Sequence, residues 1–350
     1  MSENFAIRLI AWQKQYGRHN LPWQGADAYR VWLSEIMLQQ TQVTTVIPYY
    51  LRFIASFPNI AALAAATQEQ VLAHWSGLGY YARGRNLHKA AQLIVETHQG
   101  VFPRDYAQIL ELPGIGRSTA AAVCALAYQE HRAILDGNVK RVLARYCGIT
   151  GWTGSKPVED ILWTRAEVLL PLHEVDTYTQ ALMDMGASVC TRSRPKCAIC
   201  PVQSDCLALQ GERTTELPTP RPRKTVPEKS VIFLLLIHGQ NILLEKRPDS
   251  GIWGGMWCPP QVEDSQLEGY LRSSGIVLDE HGKVIEKFET LPSFTHTFTH
   301  FKLHITPMLL YLDKKPLHIQ QSESVWLDIE GALQAAIPTP VRKVLEDLRT

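Results

Sequence analysis

Cys190, Cys197, Cys200 and Cys206 fall within 17 residues and are four of the seven cysteines in the chain. Four thiolates at that density can close a loop around one soft metal centre. Zinc accepts such a set, although structural zinc sites more often pair two close-spaced couples. Here only Cys197 and Cys200 are close, so the spacing leans toward a [4Fe–4S] cluster and leaves zinc open. Between the first two cysteines lies TRSRPK. Arg192, Arg194 and Lys196 would stand on a loop pinned at both ends, a fit for a phosphate grip as well as for a solvated surface. A second set of residues is acidic. Glu35 sits in WLSEIMLQQTQV beside a helically spaced apolar face, and taken alone it belongs on the wet side of that helix. Asp136, in ILDGNVKRV, follows an apolar run and precedes a helix. It can cap that helix, or be a carboxylate that helix-start N–H groups hold ionised. The third feature is LPGIGRSTAAAV, residues 112 to 123. Gly114 and Gly116 permit a tight turn whose bare backbone can approach a ligand, with N–H groups turned outward toward an anion.

Such residues need elements to hold them. AALAAATQEQVLAHW, NLHKAAQLIVETH, RSTAAAVCALAY and VEDILWTRAEVLL are Ala- and Leu-rich with three-four spacing, so residues 1 to about 210 predict helix after helix. Preceded by the helical YAQILE, the glycine motif becomes a helix-hairpin-helix. ERTTELPTPRPRKTVPEKS, residues 212 to 230, has four prolines and several charges, which suits an extended linker. Beyond it SVIFLLLIHGQNILLEKRP reads as strand, turn and strand, and FTHTFTHFKLHITPMLLYL as strand. EGALQAA and TPVRKVLEDLRT read as helices. The fold class is therefore multidomain: an all-α region followed by a smaller α/β domain. At 350 residues the chain can build both cores. Its net charge of +1 divides into +3 for residues 1–215, +2 for 216–230 and −4 for 231–350, so attraction to nucleic acid must come from local clusters. No apolar run is long enough to predict a membrane span, and the start has no secretion signal. A reducing, cytoplasmic setting is expected.

The order SEIMLQQTQV, GLGYYARGRN, LPGIGRSTA, ILDGNVKRV and the four-cysteine loop resembles the helix-hairpin-helix DNA glycosylases that carry an iron–sulfur cluster. Within that family it is similar to the adenine glycosylases of the MutY kind, over the whole chain. The resemblance implies a helical glycosylase region at 1–212, in which 26–131 form a helical bundle with the hairpin and 1–25 join 132–212 as the cluster domain. A linker at 213–229 and a Nudix-like domain at 230–350 follow. It implies that Cys190, Cys197, Cys200 and Cys206 hold a [4Fe–4S] cluster. It implies that Glu35 protonates adenine at N7 and handles the attacking water, that Asp136 stabilises a cationic sugar, and that Asn138 orients the pair, the logic of paired carboxylates at a glycosidic bond. Burial beside Trp32 and Ile36 would raise the Glu35 pKa, as an acid working near neutrality requires. Trp23, Ser118 and Gln180 match positions around the adenine. Gln40, with Leu38 and Thr41 beside it, matches the wedge that enters the duplex when the base is flipped out, and Tyr80 a residue stacked near the opposing base. With DNA as the partner, Gly114, Gly116, Arg192, Arg194 and Lys196 become candidate DNA-binding residues. The implied partner is double-stranded DNA with 8-oxoguanine:A or G:A mispairs, bound by a monomer.

Bifunctional relatives carry a nucleophilic Lys in the hairpin motif. Ser118 stands there in this chain, so hydrolysis that leaves an abasic site is expected, with Lys140 the next amine along the chain. The Nudix-like region lacks the Mg²⁺-binding carboxylates: EGYLRSSG replaces them, which argues against pyrophosphatase activity. Phe298-Thr299-His300 matches the family's Phe-Ser-His loop for 8-oxoguanine, with Thr for Ser. His296, His300 and His304 would lie along a strand, four residues and about 13 Å apart, too far to share an ion. The competing functions are a bifunctional pyrimidine glycosylase of the endonuclease III type, a non-enzymatic DNA-binding scaffold and a nucleotide pyrophosphatase.

Overall fold

Short polar residues start many of the helices, and apolar spacing decides which faces they bury. The computed structural model describes residues 2–222, 225–276, 288–315 and 323–349, which include every residue singled out above. Along the first part of the chain run α1 (Ser2–Tyr16), α2 (Ala28–Leu38), α3 (Val43–Ser56), α4 (Ile60–Ala65), α5 (Gln68–Trp75), α6 (Ala82–His98), α7 (Tyr106–Glu111), α8 (Arg117–Tyr128), α9 (Gly137–Tyr146), α10 (Lys156–Val168), α11 (Val175–Ser188) and α12 (Leu207–Gln210). Asp27, Asp105 and Asp136 cap α2, α7 and α9 by accepting the N–H three residues on, which satisfies donors the helix itself cannot. The chain forms two units, residues 1–65 with 86–223, and residues 66–85 with 224–350.

In the first unit α1 supplies Phe5, Leu9 and Trp12 to a core shared with Val139, Val142 and Leu143 of α9 and with Tyr178, Leu182 and Met185 of α11. The N-terminal helix is thereby built into the region that carries Asp136 and the cysteines. The proline-rich segment begins as a packed strand of chain: Leu217 is buried, and the Gly151 N–H donates to the Thr219 hydroxyl at 2.9 Å.

The second unit is a sheet of β1 (Glu228–His238), β2 (Asn241–Lys246), β3 (Trp257–Cys258), β4 (Gln261–Val262), β5 (Phe288–Thr290), β6 (Phe294–Thr297), β7 (Lys302–Tyr311) and β8 (Ser324–Asp328), with α13 (Leu267–Ser273), α14 (Ile329–Gln334) and α15 (Thr339–Arg349). Its main path is β3-β2-β1-β7-β5, and β6 folds back on β7 as a hairpin. β1 pairs in parallel with β7, and its residues Phe233 to Leu236 are all fully buried, the pattern of a strand covered on both faces. The α5 segment belongs to this unit. The Trp257 indole N–H donates to Glu69 at 2.6 Å, and the Ser76 hydroxyl to the Ile337 carbonyl at 2.6 Å.

Candidate functional site

α2 buries nearly its whole circumference. Trp32, Leu33, Ser34, Ile36 and Met37 are all buried around Glu35, so the helix has no broad wet face to receive a carboxylate. Glu35 is half-buried by surface area. Burial of the group pushes its carboxyl up to about 8, and the neighbouring charge of Asp136 pushes the same way. The two acids therefore lie within electrostatic reach although they come from helices about a hundred residues apart.

Asp136 caps α9, accepting the Val139 N–H at 2.7 Å. The expectation that helix-start N–H groups would hold it ionised is half met. Those of Val139 and Asn138, and the cations of Arg141 and Lys140, all lower its pKa, but burial outweighs them and the net direction is upward. One residue earlier, the Leu135 N–H donates to the Ser118 hydroxyl at 3.0 Å. Ser118 thus ties the hairpin helix to the peptide that presents Asp136. Lys140 is paired with Glu159 at 2.7 Å. Asn138 accepts from Arg141 at 2.9 Å, and the same guanidinium donates to the carbonyls of Gly186 at 2.6 Å and Cys190 at 2.8 Å. Gly186 is where α11 crosses α9: a Cβ there would meet the Asn138 Cβ at 2.7 Å, closer than carbon atoms approach, so the glycine sets the spacing that lets Asn138 lie beside Asp136.

Trp23 and Gln180 line a cleft of about 520 Å³ with Arg104, Tyr128, Asp176 and Val31. Val31 is one turn before Glu35 on α2. Glu35, Ser118 and Asp136 are not part of that lining, so the residues expected around the adenine divide between the cleft wall and the carboxyl pair. Trp23 packs edge-on against Tyr50 at 5.2 Å. The Gln180 amide donates to Asp184 at 2.8 Å. Asp184 also accepts from Gln13 at 3.0 Å and from the Arg18 backbone and guanidinium at 2.8 Å, and it is 1% exposed. Sequence reasoning missed Asp184, because an acid four residues from Gln180 looks the same whether it faces water or a buried network.

The hairpin forms between α7 and α8. Gly114 has φ +81°, and a Cβ on it would meet Asn86 at 2.8 Å. Gly116 is the N-cap of α8 and has open space around it. Between α2 and α3 the exposed Gln40 adopts φ 57°, a strained setting for a residue with a side chain. Leu38 and Thr41 are half-buried on either side of it.

All four cysteines of the 190–206 loop line one cavity of about 30 Å³, closed by Val142, Tyr146, Met185, Val189 and Val202. Burial pushes the Cys200 thiol up to about 11 and raises Cys206 as well, so thiolates there need a compensating cationic centre. Among the described residues no group of three or more His, Cys, Asp or Glu side chains is arranged to hold a metal ion. Arg145, 2% exposed, fastens the loop. It donates to the carbonyls of Thr191 at 2.7 Å, Arg192 at 2.9 Å and Leu217 at 2.7 Å, and to the Cys190 sulfur at 3.4 Å. Arg192, Arg194 and Lys196 stand exposed on that fastened loop.

The second unit holds the remaining residues. Tyr80 is 47% exposed with φ 49°, and the Arg83 guanidinium lies 5.3 Å from its ring. Phe298 to His300 do not continue a strand: the Phe298 N–H donates to the Phe301 carbonyl at 2.9 Å, closing a turn between β6 and β7 with Thr299 and His300 exposed at its tip. The expectation of one strand through His296, His300 and His304 is thereby corrected. The chain folds back, pairing Thr295 with His304. Other partners take up the imidazoles: His304 bonds Thr295 and Glu228, each at 2.9 Å, and His296 packs on Phe298. On α13 the Tyr270 hydroxyl donates to Glu245 at 2.9 Å, and Glu268 pairs with Arg272 at 2.7 Å.

A model of the HhH-GPD superfamily base excision DNA repair proteins matches residues 33–167, and a NUDIX domain model matches residues 231–347. The chain is 39% identical to the adenine DNA glycosylase of Buchnera aphidicola subsp. Acyrthosiphon pisum (strain APS), across 99% of this chain and 97% of that one. It is 34% identical to the adenine DNA glycosylase of Mus musculus, across 97% of this chain and 77% of that one. Among solved structures, a thermostable thymine-DNA glycosylase superposes with a TM-score of 0.55 at 27% identity, covering 60% of this chain and 97% of its own.

Proposed function

We propose that this chain, which belongs to the adenine DNA glycosylase family, hydrolyses the N-glycosidic bond of adenine mispaired with 8-oxoguanine or guanine in duplex DNA and leaves an abasic site. The observation that carries the reading is the pair of half-buried carboxyls, Glu35 and Asp136, within electrostatic reach of each other. With its carboxyl raised to about 8, Glu35 keeps a proton near neutrality and can deliver it to N7 of the departing base. Burial raises Asp136 too, but two N–H groups and two cations oppose that rise, so it is the member that carries negative charge toward the oxocarbenium-like sugar. Asn138, held by Arg141 and spaced by Gly186, fixes the orientation of the pair. Trp23 and Gln180 receive the flipped base, Gln40, with Leu38 and Thr41 beside it, enters the space it leaves in the duplex, and Tyr80 stacks near the opposing base. The turn at Phe298, Thr299 and His300 reads the 8-oxoguanine.

The cysteine loop fits a [4Fe–4S] cluster. Four sulfurs line one apolar-walled cavity, and two are thiols that burial disfavours as bare anions. Cys190, Cys197, Cys200 and Cys206 would hold the cluster, which supplies a fixed cross-link for the loop. Arg192, Arg194 and Lys196 then meet phosphates from a rigid frame, and Gly114 and Gly116 offer backbone N–H groups to another stretch of the strand. No helix among the described residues is long and apolar enough to cross a membrane, and a monomeric, cytoplasmic, DNA-associated enzyme completes the proposal.

Ser118 decides between simple hydrolysis and strand cleavage. Its hydroxyl is occupied by Leu135, and Lys140 is paired with Glu159, so neither position offers a free amine. Incubation with a duplex bearing 8-oxoguanine opposite adenine should release free adenine, with strand breaks only after alkali. Nicking without alkali would favour the endonuclease III type, and tight binding without adenine release would favour a scaffold.

A further inference from the structure

Trp253 has a backbone that its side chain does not favour. It lies in GIWGG with φ 56°, the left-handed region that bulky residues rarely enter. The neighbouring glycines make the conformation possible. A Cβ on Gly254 would meet the Asp249 carbonyl oxygen at 2.5 Å, and Gly255 itself has φ +72°. Strain retained at one position invites the question of what its side chain is aimed at. The Trp253 indole is 5% exposed. It makes an edge-type contact with Phe233, a fully buried residue of β1, at 6.0 Å and 75°. It also meets Phe298 at 5.6 Å and His296 at 6.0 Å. Phe298 in turn stacks on Phe301 at 4.4 Å and 14°. A column of rings therefore runs from the sheet core to the turn that presents Thr299 and His300.

We propose that Trp253 is a positioning residue for base reading, a platform that holds the Phe298–Phe301 turn in the conformation that meets the damaged base. This rests on the proposal that the turn reads 8-oxoguanine. A four-residue turn closed by one hydrogen bond would otherwise lose much of its binding gain to ordering its own backbone. Aromatic contacts made before DNA arrives remove that cost. Trp253 touches neither DNA nor the carboxyl pair in this account, so it acts on preference between substrates and not on the chemical step.

The test uses full-length protein and compares single-turnover adenine release from 8-oxoguanine:A and G:A duplexes. Thr299→Ala with His300→Ala should lower the preference for 8-oxoguanine:A by about tenfold, the worth of two hydrogen bonds. Trp253→Ala should lower it by a similar factor with the G:A rate unchanged, and the triple variant should fall no further. Trp253→Phe, which restores a ring, should recover most of the loss. If Trp253→Ala does not fold, Trp253→Leu keeps apolar bulk without a ring and should lose the preference while melting near wild type. An unchanged preference in the Trp253 variants, alongside a lost one in the turn variant, overturns the platform and leaves the turn as reader. A further fall in the triple variant also overturns it, because Trp253 would then act outside the turn. An unchanged preference in the turn variant sinks the reading of the turn itself, and the platform with it.

Discussion

The helical unit and the sheet unit fix their working residues by different means. The helical unit uses buried charge. Asp184 gathers Gln13, Arg18 and Gln180, Arg141 links Asn138 to the Gly186 and Cys190 carbonyls, and Arg145 holds three carbonyls of the chain around the cysteines. In the sheet unit the turn rests on rings, Phe233, Trp253, Phe298 and Phe301 in sequence. Buried charge networks are directional and costly to break, since removing one partner strands the other, at about 3–5 kcal/mol. Ring contacts are shape-dependent but individually modest, about 0.5–1.5 kcal/mol beyond area. Proton transfer needs atoms held at fixed angles, whereas reading a base edge needs a support that does not sag. The comparison teaches that damage to the first unit should stop the reaction, and damage to the second should blur its choice of substrate.

The sharpest break of that contrast is Cys197→Ser. It removes one of four sulfurs from a cavity whose loop also carries Arg192 to Lys196, so iron content should drop and DNA affinity should fall by about tenfold or more per pair of lost phosphate contacts. Zinc in place of iron in the anaerobically purified wild type would refute the cluster. Gly186→Ala comes next. The added methyl meets Asn138 and must spread α9 from α11, at about 1–3 kcal/mol of stability, and adenine release should slow by about tenfold or more, since small misplacements at a reacting centre cost that much. A rate within about twofold of wild type would show that the crossing absorbs the methyl without moving Asn138.

The turn variant Thr299→Ala with His300→Ala stands lower still, at about tenfold in preference and nothing in chemistry. It is cleaner than truncation after residue 225, because α5 packs within the same unit as the sheet: Glu69 and Ser76 would lose Trp257 and Ile337. Smallest near neutrality is the pH effect. In the proposed reaction Glu35 acts while protonated, and its carboxyl is raised from 4.5 to about 8, so adenine release should hold up to near pH 8 and fall as pH rises through it. A decline beginning near pH 5 would mean that Glu35 titrates as an ordinary acid.

Much of this was legible in the sequence where chemistry and local structure coincide. Asp136 before a helix predicted a cap, and the cap is there. SVIFLLLIHGQNILLEKRP predicted two strands around a turn, and β1 and β2 pair across Gly239 and Gln240. What stayed hidden depends on distant parts of the chain. Glu35 looked solvated because nothing in WLSEIMLQQTQV shows that its helix is covered nearly all round. Arg145 and Asp184 were missed because most of their partners lie far from them in sequence. AALAAATQEQVLAHW looked like one helix, but Thr67 and Gln70 form a capping box that starts a second one. The three histidines looked aligned on a strand because the turn at 298–301 has no glycine, proline or asparagine to announce it.

Single-turnover release from an 8-oxoguanine:A duplex by wild type and by Glu35→Gln asks whether the half-buried Glu35 carboxyl delivers the proton that frees adenine. The substitution keeps the shape and removes the proton donor. Wild type should give free adenine and an alkali-labile strand, with a drop of about a hundredfold or more in the variant and DNA binding retained. Release by Glu35→Gln within about tenfold of wild type would contradict it and place the proton donor elsewhere.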